Sequence, residues 1–431
     1  MQRALRPVDI ASLAAFRIIF GLVMFVGIVR LLSTGWIETM YGDPHFFFTY
    51  PGFGWVRPWS VTGMYLHYAV LAVLALGIAA GYRHRLVTLL FVVGFTYTQL
   101  VDVTNYLNHH YLVVLLGVQL ALLPANAEWS LDARRDPSIR RDQAPVWMIW
   151  LLRFQVGVVY VFAGLAKAKA DWLLDAQPLQ LWLSARTDTP LIGSFFTQPW
   201  VPLAMSWAGF LFDTTIVIWL SWARTRIYAF AALILFHGFT GYLFNIGMFP
   251  LIMTTSALIF FPPSWPRRLF RAEPAPVTSP PIERPSRIVR TAIAVHVVLQ
   301  LVLPLRHLAY PGAVLWNEDG MRFAWHVMIR EKHGSVGFVA RFADGKTLEV
   351  PASNYLTARQ EREMGAQPDL ILQLARRIGE DMHARGYRDF TLHAETAVSL
   401  NGRAPRPMID PRVDLLSIDD LGPRRWVLPG P

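Results

Sequence analysis

Val158-Val159-Tyr160-Val161-Phe162-Ala163-Gly164-Leu165-Ala166-Lys167-Ala168-Lys169-Ala170-Asp171-Trp172 closes an apolar run that begins near Val146. A helix of about 20 apolar residues spans a bilayer, and this run has that length. It stops at a lysine; a second lysine follows two residues later, then an aspartate and a tryptophan. Of the 40 lysines and arginines in the chain, only Lys167, Lys169, Lys332 and Lys346 are lysines. Two of the four therefore close one membrane-length segment. Arginine would serve as well for a surface charge, whereas burial can lower a lysine pKa far enough to make the amine a proton acceptor. A lysine beside Trp172 at a membrane edge is also an ordinary interfacial anchor. Periodicity alone leaves both readings open.

Outward from this run the same pattern repeats. The 431 residues are 54% hydrophobic and only 16% charged, against about a quarter charged in soluble proteins. Nine apolar runs are expected to cross a membrane: 10–32, 65–81, 86–104, 110–125, 146–166, 201–222, 227–244, 248–262 and 291–308. The first is too long for a signal-peptide core and has no small-residue cleavage pattern, so it reads as a retained anchor. The absence of cysteine excludes disulfides, thiolate catalysis and Cys-ligated metals. The net charge of +10 does not require nucleic acid, because the arginines cluster in short loops between apolar runs. Arg3 and Arg6, Arg83 and Arg85, Arg134 to Arg141, Arg224 and Arg226, and Arg267 to Arg271 all fall on one face. The positive-inside rule makes that face cytoplasmic. The N-terminus is then inside, and Lys167, Asn108, His109 and everything beyond 308 are outside.

The expected fold is an all-α polytopic membrane bundle (1–308) with a small extracytoplasmic α+β domain (309–431). The proline-rich stretch Glu273–Pro285 reads as an extended cytoplasmic linker. In the tail, Asp344-Gly345 between apolar stretches marks a hairpin. Asp369 to Arg385 has helical periodicity. Phe390 to Leu400 followed by Asn401-Gly402 reads as a second hairpin.

Polar groups inside spans are costly and are candidates for function. Arg17 and Arg153 lie about two turns from the cytoplasmic end, within snorkelling reach. Asp213 lies too deep for that and is expected to pair with an arginine or histidine, or to stay protonated. His237 interrupts an apolar helix, and His296 reads as structural. His109 and His110 project about 100° apart, so one of them is expected to face any given pocket. Their spacing is wrong for a zinc helix, and no metal is expected.

Several motifs then agree together. Leu152-Arg153-Phe154-Gln155, Val159-Tyr160, Ala163-Gly164, Lys167 and Ala170-Asp171-Trp172 resemble the central segment of the vitamin K-dependent gamma-glutamyl carboxylases, part of the wider HTTM superfamily. Ala11-Ser12-Leu13-Ala14 with Phe16-Arg17, Asn108-His109 with Tyr111-Leu112, Trp129-Ser130-Leu131-Asp132, Phe236-His237 and Leu243 to Phe249 follow in the same order. Asp344-Gly345 and Ile409-Asp410-Pro411-Arg412-Val413-Asp414 complete the resemblance, which covers about residues 10 to 428.

The resemblance implies an integral membrane carboxylase and epoxidase. Lys167 would be the base that deprotonates reduced vitamin K, a naphthohydroquinone such as menahydroquinone or phylloquinol. Reaction with O2 would yield the epoxide and a base strong enough to take the γ-proton of a glutamyl side chain, which then captures CO2. His109 corresponds to the histidine of the carboxylation half-reaction. Asn108, Arg153, Tyr160, His237, Asn245 and Met248 lie in the matching blocks and are expected to contact the quinone. The amine and the His109 imidazole are expected to share one apolar chamber. The expected partners are a glutamyl peptide or protein, quinone from the bilayer and membrane lipids, with no nucleic acid. The expected location is a bacterial inner membrane.

The sequence departs from the family in having Ala166 where a second lysine is common, and in adding Lys169. Animal members also carry cysteines and extend further at the C-terminus, so regions that grip a propeptide are expected to be absent or altered. Epoxidation is accordingly better supported than peptide carboxylation. The alternatives are a naphthoquinone epoxidase without protein carboxylation, or a non-enzymatic transporter or lipid-binding protein on the same scaffold.

Overall fold

A computed structural model describes residues 2–273, 284–419 and 424–431. Most of the proline-rich stretch Glu273–Pro285 lies outside the described residues. Each apolar run is helical: α1 (Ala11–Ser33), α2 (Val61–Ala80), α3 (His84–Leu100), α4 (Asn108–Leu122), α5 (Trp147–Ala166), α6 (Trp200–Ser221), α7 (Arg226–Leu243), α8 (Phe249–Ser256, extended by a 3-10 turn to Phe260) and α9 (Arg287–Val302, extended to Ala309). Only six of these are long and apolar enough to cross a membrane on their own: α1, α2, α5, α6, α7 and α9 with its extension. The other three of the nine expected crossings do not follow from length and composition. α4 and α8 are apolar but short, and α3 has 17 residues.

Helix boundaries follow local chemistry. Ser60 caps α2 by accepting from the Gly63 amide. Gly81 ends it in the left-handed conformation (φ 63°), where a Cβ would stand 2.4 Å from Ser130 Cβ. Helix ends alternate between two faces of the bundle. At one face β1 (Pro7–Asp9) pairs antiparallel with β2 (Gln143–Pro145), and Arg267 joins Asp9 at 2.8 Å to Glu128 at 2.5 Å.

Two intramembrane arginines belong to the same face. Arg17 is fully buried rather than snorkelling: it donates to the carbonyls of Ala125, Ile78, Ala79 and Trp129. Arg153 donates to the carbonyls of Ile259, Phe260 and Phe261, where the 3-10 turn after α8 leaves acceptors without helical partners. His296 is structural, as expected. It and Gln300 tie α9 to Gln119, Gln155 and Tyr111 through side-chain hydrogen bonds.

The C-terminal region builds a three-stranded antiparallel sheet, ordered β4 (Thr347–Val350), β3 (Lys332–Phe342), β5 (Phe390–Leu400). The Asp344-Gly345 hairpin joins β3 and β4. The expected second hairpin is only a bridge between Val398 and Arg406 around Asn401-Gly402. β5 instead pairs along its whole length with β3, and both strands contribute apolar side chains to one core with the helix that follows β4 in the chain and precedes β5. That helix, α11 (Pro368–Ala384), follows α10 (Ala358–Gly365) and buries Leu370, Leu374, Ile378 and Met382.

The two cores interlock. Phe48, Val103 and Ala166 sit in the core of the sheet region, and Trp325 sits fully buried in the core of the bundle. Gln360 fastens the junction, donating to the Phe46 carbonyl and to Asp102, both at 2.8 Å. The sheet region thus closes the bundle at the end that carries Lys167.

Candidate active site

Lys167 follows the last residue of α5, so its backbone leaves the helix while its side chain turns back into the bundle. It is 5% exposed. Its amine donates to Asp213 at 2.8 Å, to the Ala163 carbonyl at 3.2 Å and to the Val327 carbonyl at 3.3 Å. These acceptors match the three N–H donors of an ammonium group. The Trp172 ring lies 5.3 Å from the nitrogen, close enough for a cation–π contact. With the pair's proton on Asp213 instead, the amine keeps a lone pair. The pair is net neutral in both arrangements. Asp213 was expected to find an arginine or histidine; it finds the lysine, because α5 and α6 pack side by side at this depth.

A glycine makes that packing possible. A Cβ on Gly164 would lie 2.5 Å from Thr214 Cγ2, 2.8 Å from the Thr214 amide nitrogen and 3.1 Å from the Asp213 carbonyl carbon. Backbone atoms cannot yield cheaply, so any side chain here pushes α6 away one turn from the ion pair. Gly164→Ala is expected to cost about 1–3 kcal/mol through overpacking, and to lengthen the Lys167–Asp213 contact. Thermal unfolding in detergent together with turnover checks both effects.

The amine faces an apolar cavity of about 200 Å3 lined by Tyr160, Trp172, Trp182, Phe236, His237 and Phe244, among others. The Tyr160 hydroxyl and His237 Nε2 lie 2.8 Å apart. His237 Nδ1 is buried and has no hydrogen-bond partner among the described residues. A flat apolar ring bearing hydroxyl groups suits this lining: aromatic walls, one amine and one imidazole.

His109 opens on a second, larger cavity of about 610 Å3, together with Asn108, Asn245, Met248, Arg359 and Glu363. His110 lines it as well, contrary to the expectation that one of the two rings would be excluded, because the cavity is wide enough to reach both. The amine and the His109 imidazole therefore do not share one chamber. Ile246, Phe249, Val327 and Met328 line both cavities and form the wall between them. The Phe249 ring stands 5.9 Å from the His109 ring and 5.8 Å from the His237 ring.

Of the expected quinone contacts, Tyr160 and His237 line the lysine cavity. Asn108, Asn245 and Met248 line the other. Arg153 lines neither, because its guanidinium is spent on carbonyls at the opposite face. Sequence reasoning missed Trp182, Val327 and Met328. The last two belong to the segment between Met321 and Arg330, which dips from the sheet region into the bundle.

Residues 5–265 match the model of the HTTM domain family, and residues 285–431 match that of the vitamin K-dependent gamma-carboxylase lumenal domain. No solved structure matches the chain. The second match indicates that the C-terminal domain lies on the non-cytoplasmic side of the membrane. With six apolar helices of spanning length and a lumenal-type domain on the end that carries Lys167, the chain belongs to the vitamin K-dependent gamma-carboxylase family of the HTTM superfamily.

Proposed function

We propose that this protein is a vitamin K-dependent gamma-glutamyl carboxylase with quinone epoxidase activity, working at the non-cytoplasmic end of its bundle. The observation that carries the reading is a buried amine, ion-paired at 2.8 Å with a buried carboxylate, on the wall of an apolar cavity. When bound, reduced vitamin K supplies with O2 the oxidative energy that makes a base strong enough for a glutamyl γ-proton. Tyr160, Trp172, Trp182 and Phe236 would hold its ring, and His237 would meet an oxygen. With the pair's own proton on Asp213, Nζ would take the hydroxyl proton, and the positive charge the pair gains would be balanced by the negative charge left on the hydroquinone oxygen. Apolar walls exclude water, which would otherwise quench a carbanion before CO2 is captured. The second cavity, with His109, would receive the glutamyl side chain. The arginines clustered on the face opposite Lys167 support a cytoplasmic N-terminus for a chain of nine crossings.

The wall between the cavities favours a second reading, epoxidation without carboxylation, since a glutamyl group beyond it does not reach the lysine cavity as it stands. The two are separated by incubating the purified protein with hydroquinone, O2, isotope-labelled bicarbonate and a glutamyl peptide. Label in the peptide supports the carboxylase, and epoxide without label supports the epoxidase. His109→Ala is expected to lower label incorporation by about 100-fold, in the range of general acid–base effects, and epoxide formation by far less. Equal losses would reassign His109 to upkeep of the pocket.

A further inference from the structure

Four residues beyond the candidate base, its loop contacts the C-terminal domain. Asp171 accepts two parallel hydrogen bonds from Arg403, each 2.7 Å, and a third at 2.7 Å from the Asn401 side-chain amide. Such a forked pair fixes orientation as well as distance. Both donors sit on the Asn401-Gly402 turn that follows β5. Asn401 is buried and in the left-handed conformation (φ 51°). It is itself fixed by Glu331: its amide donates to the Glu331 carbonyl at 2.8 Å, and its side-chain oxygen accepts from the Glu331 amide at 2.9 Å. The Glu331 carboxylate in turn accepts from Trp182 Nε1 at 2.5 Å.

One turn of the C-terminal domain therefore holds both tryptophans of the lysine cavity. It holds Trp182 through Glu331, and Trp172 through its neighbour Asp171. Trp172 is also pinned from the membrane side, donating to the Ser206 carbonyl at 2.8 Å, and its ring covers the Lys167 amine. Arg403 also keeps the Asp171 carboxyl below the ordinary carboxylate range, so it is ionised at neutral pH.

We infer that the Asn401–Arg403 turn is a clasp that positions the Lys167 loop and the aromatic walls around it, so that the C-terminal domain sets the geometry of the amine. Arg403, Asn401 and Asp171 are positioning residues; none touches the cavity. The inference rests on Lys167 being the working group, and its test separates the two claims.

The test is hydrogen–deuterium exchange of the protein in nanodiscs, read on the peptide spanning residues 167–177, beside quinone epoxide turnover. In that peptide the amides of Trp172, Leu173, Leu174 and Gln177 all donate to loop carbonyls. Arg403→Gln and Asp171→Asn are each expected to raise exchange there by about tenfold, the scale of a lost charge-assisted hydrogen bond. The double variant should add little, because both singles break the same contact. The kcat for epoxide is expected to fall by about 10- to 100-fold in each, as for a misplaced group. Arg403→Lys, which keeps the charge but not the fork, should fall between.

Wild-type exchange in both single variants overturns the clasp even if Lys167 proves essential. Raised exchange with unchanged kcat overturns it as a positioning device. Raised exchange and lowered kcat in a protein whose Lys167→Met variant keeps wild-type turnover would leave the clasp standing and remove the amine from its role.

Discussion

Lys167→Ala is expected to remove quinone turnover, with kcat falling by about 100- to 10,000-fold, the usual range for a lost general acid–base group. That variant also strips a buried carboxylate of its partner. Leaving one member of a buried pair uncompensated costs about 3–5 kcal/mol, so low activity alone could reflect a damaged fold. The decisive variant replaces both partners. Lys167→Met with Asp213→Leu exchanges the pair for apolar groups of similar size, a change that is often neutral or stabilising. The double variant is expected to express and melt like the parent and still to form no epoxide. Loss of turnover then follows from the missing proton acceptor.

Asp213→Ala alone is expected to be as destabilising as Lys167→Ala. It leaves the Lys167 amine with only the Ala163 and Val327 carbonyls, in a cavity that is otherwise largely apolar. About 3–5 kcal/mol of stability should be lost, seen as a clear drop in the detergent melting temperature. Asp213→Asn keeps the shape and a hydrogen-bonding oxygen but cannot take up the pair's proton. It is expected to melt closer to the parent while turnover falls by about 100-fold. A melt as low as that of the alanine variant, with turnover retained, would make Asp213 a structural partner only.

The bundle was legible because each helix is a continuous apolar run that needs no partner to be recognised. The position of Lys167 was legible for the same reason, since a charge ending such a run stands out. What escaped the sequence depends on distant contacts. β5 took β3 as its partner rather than the residues just beyond its own turn, because strand pairing answers to a shared core and not to proximity in the chain. Arg153 sits in the segment that ends in Lys167, but sequence distance did not show that its side chain would turn to the far face.

The Met321–Arg330 segment has no periodicity to read. Phe323, Trp325 and Met328 adopt positive φ angles of 62°, 58° and 50°, a conformation uncommon for bulky residues. Their loop nonetheless buries Trp325 in the bundle and delivers the Val327 carbonyl to the amine. The wall that splits the expected single chamber is built largely from this segment and from the start of α8, and neither half predicts it alone.

The most direct measurement is mass spectrometry of quinone epoxide after incubating hydroquinone, O2 and CO2 with the purified parent and with the Lys167→Met, Asp213→Leu double variant. Epoxide from the parent and none from an equally stable double variant is the predicted result. Equal epoxide from both would contradict the assignment of the buried pair as the proton acceptor.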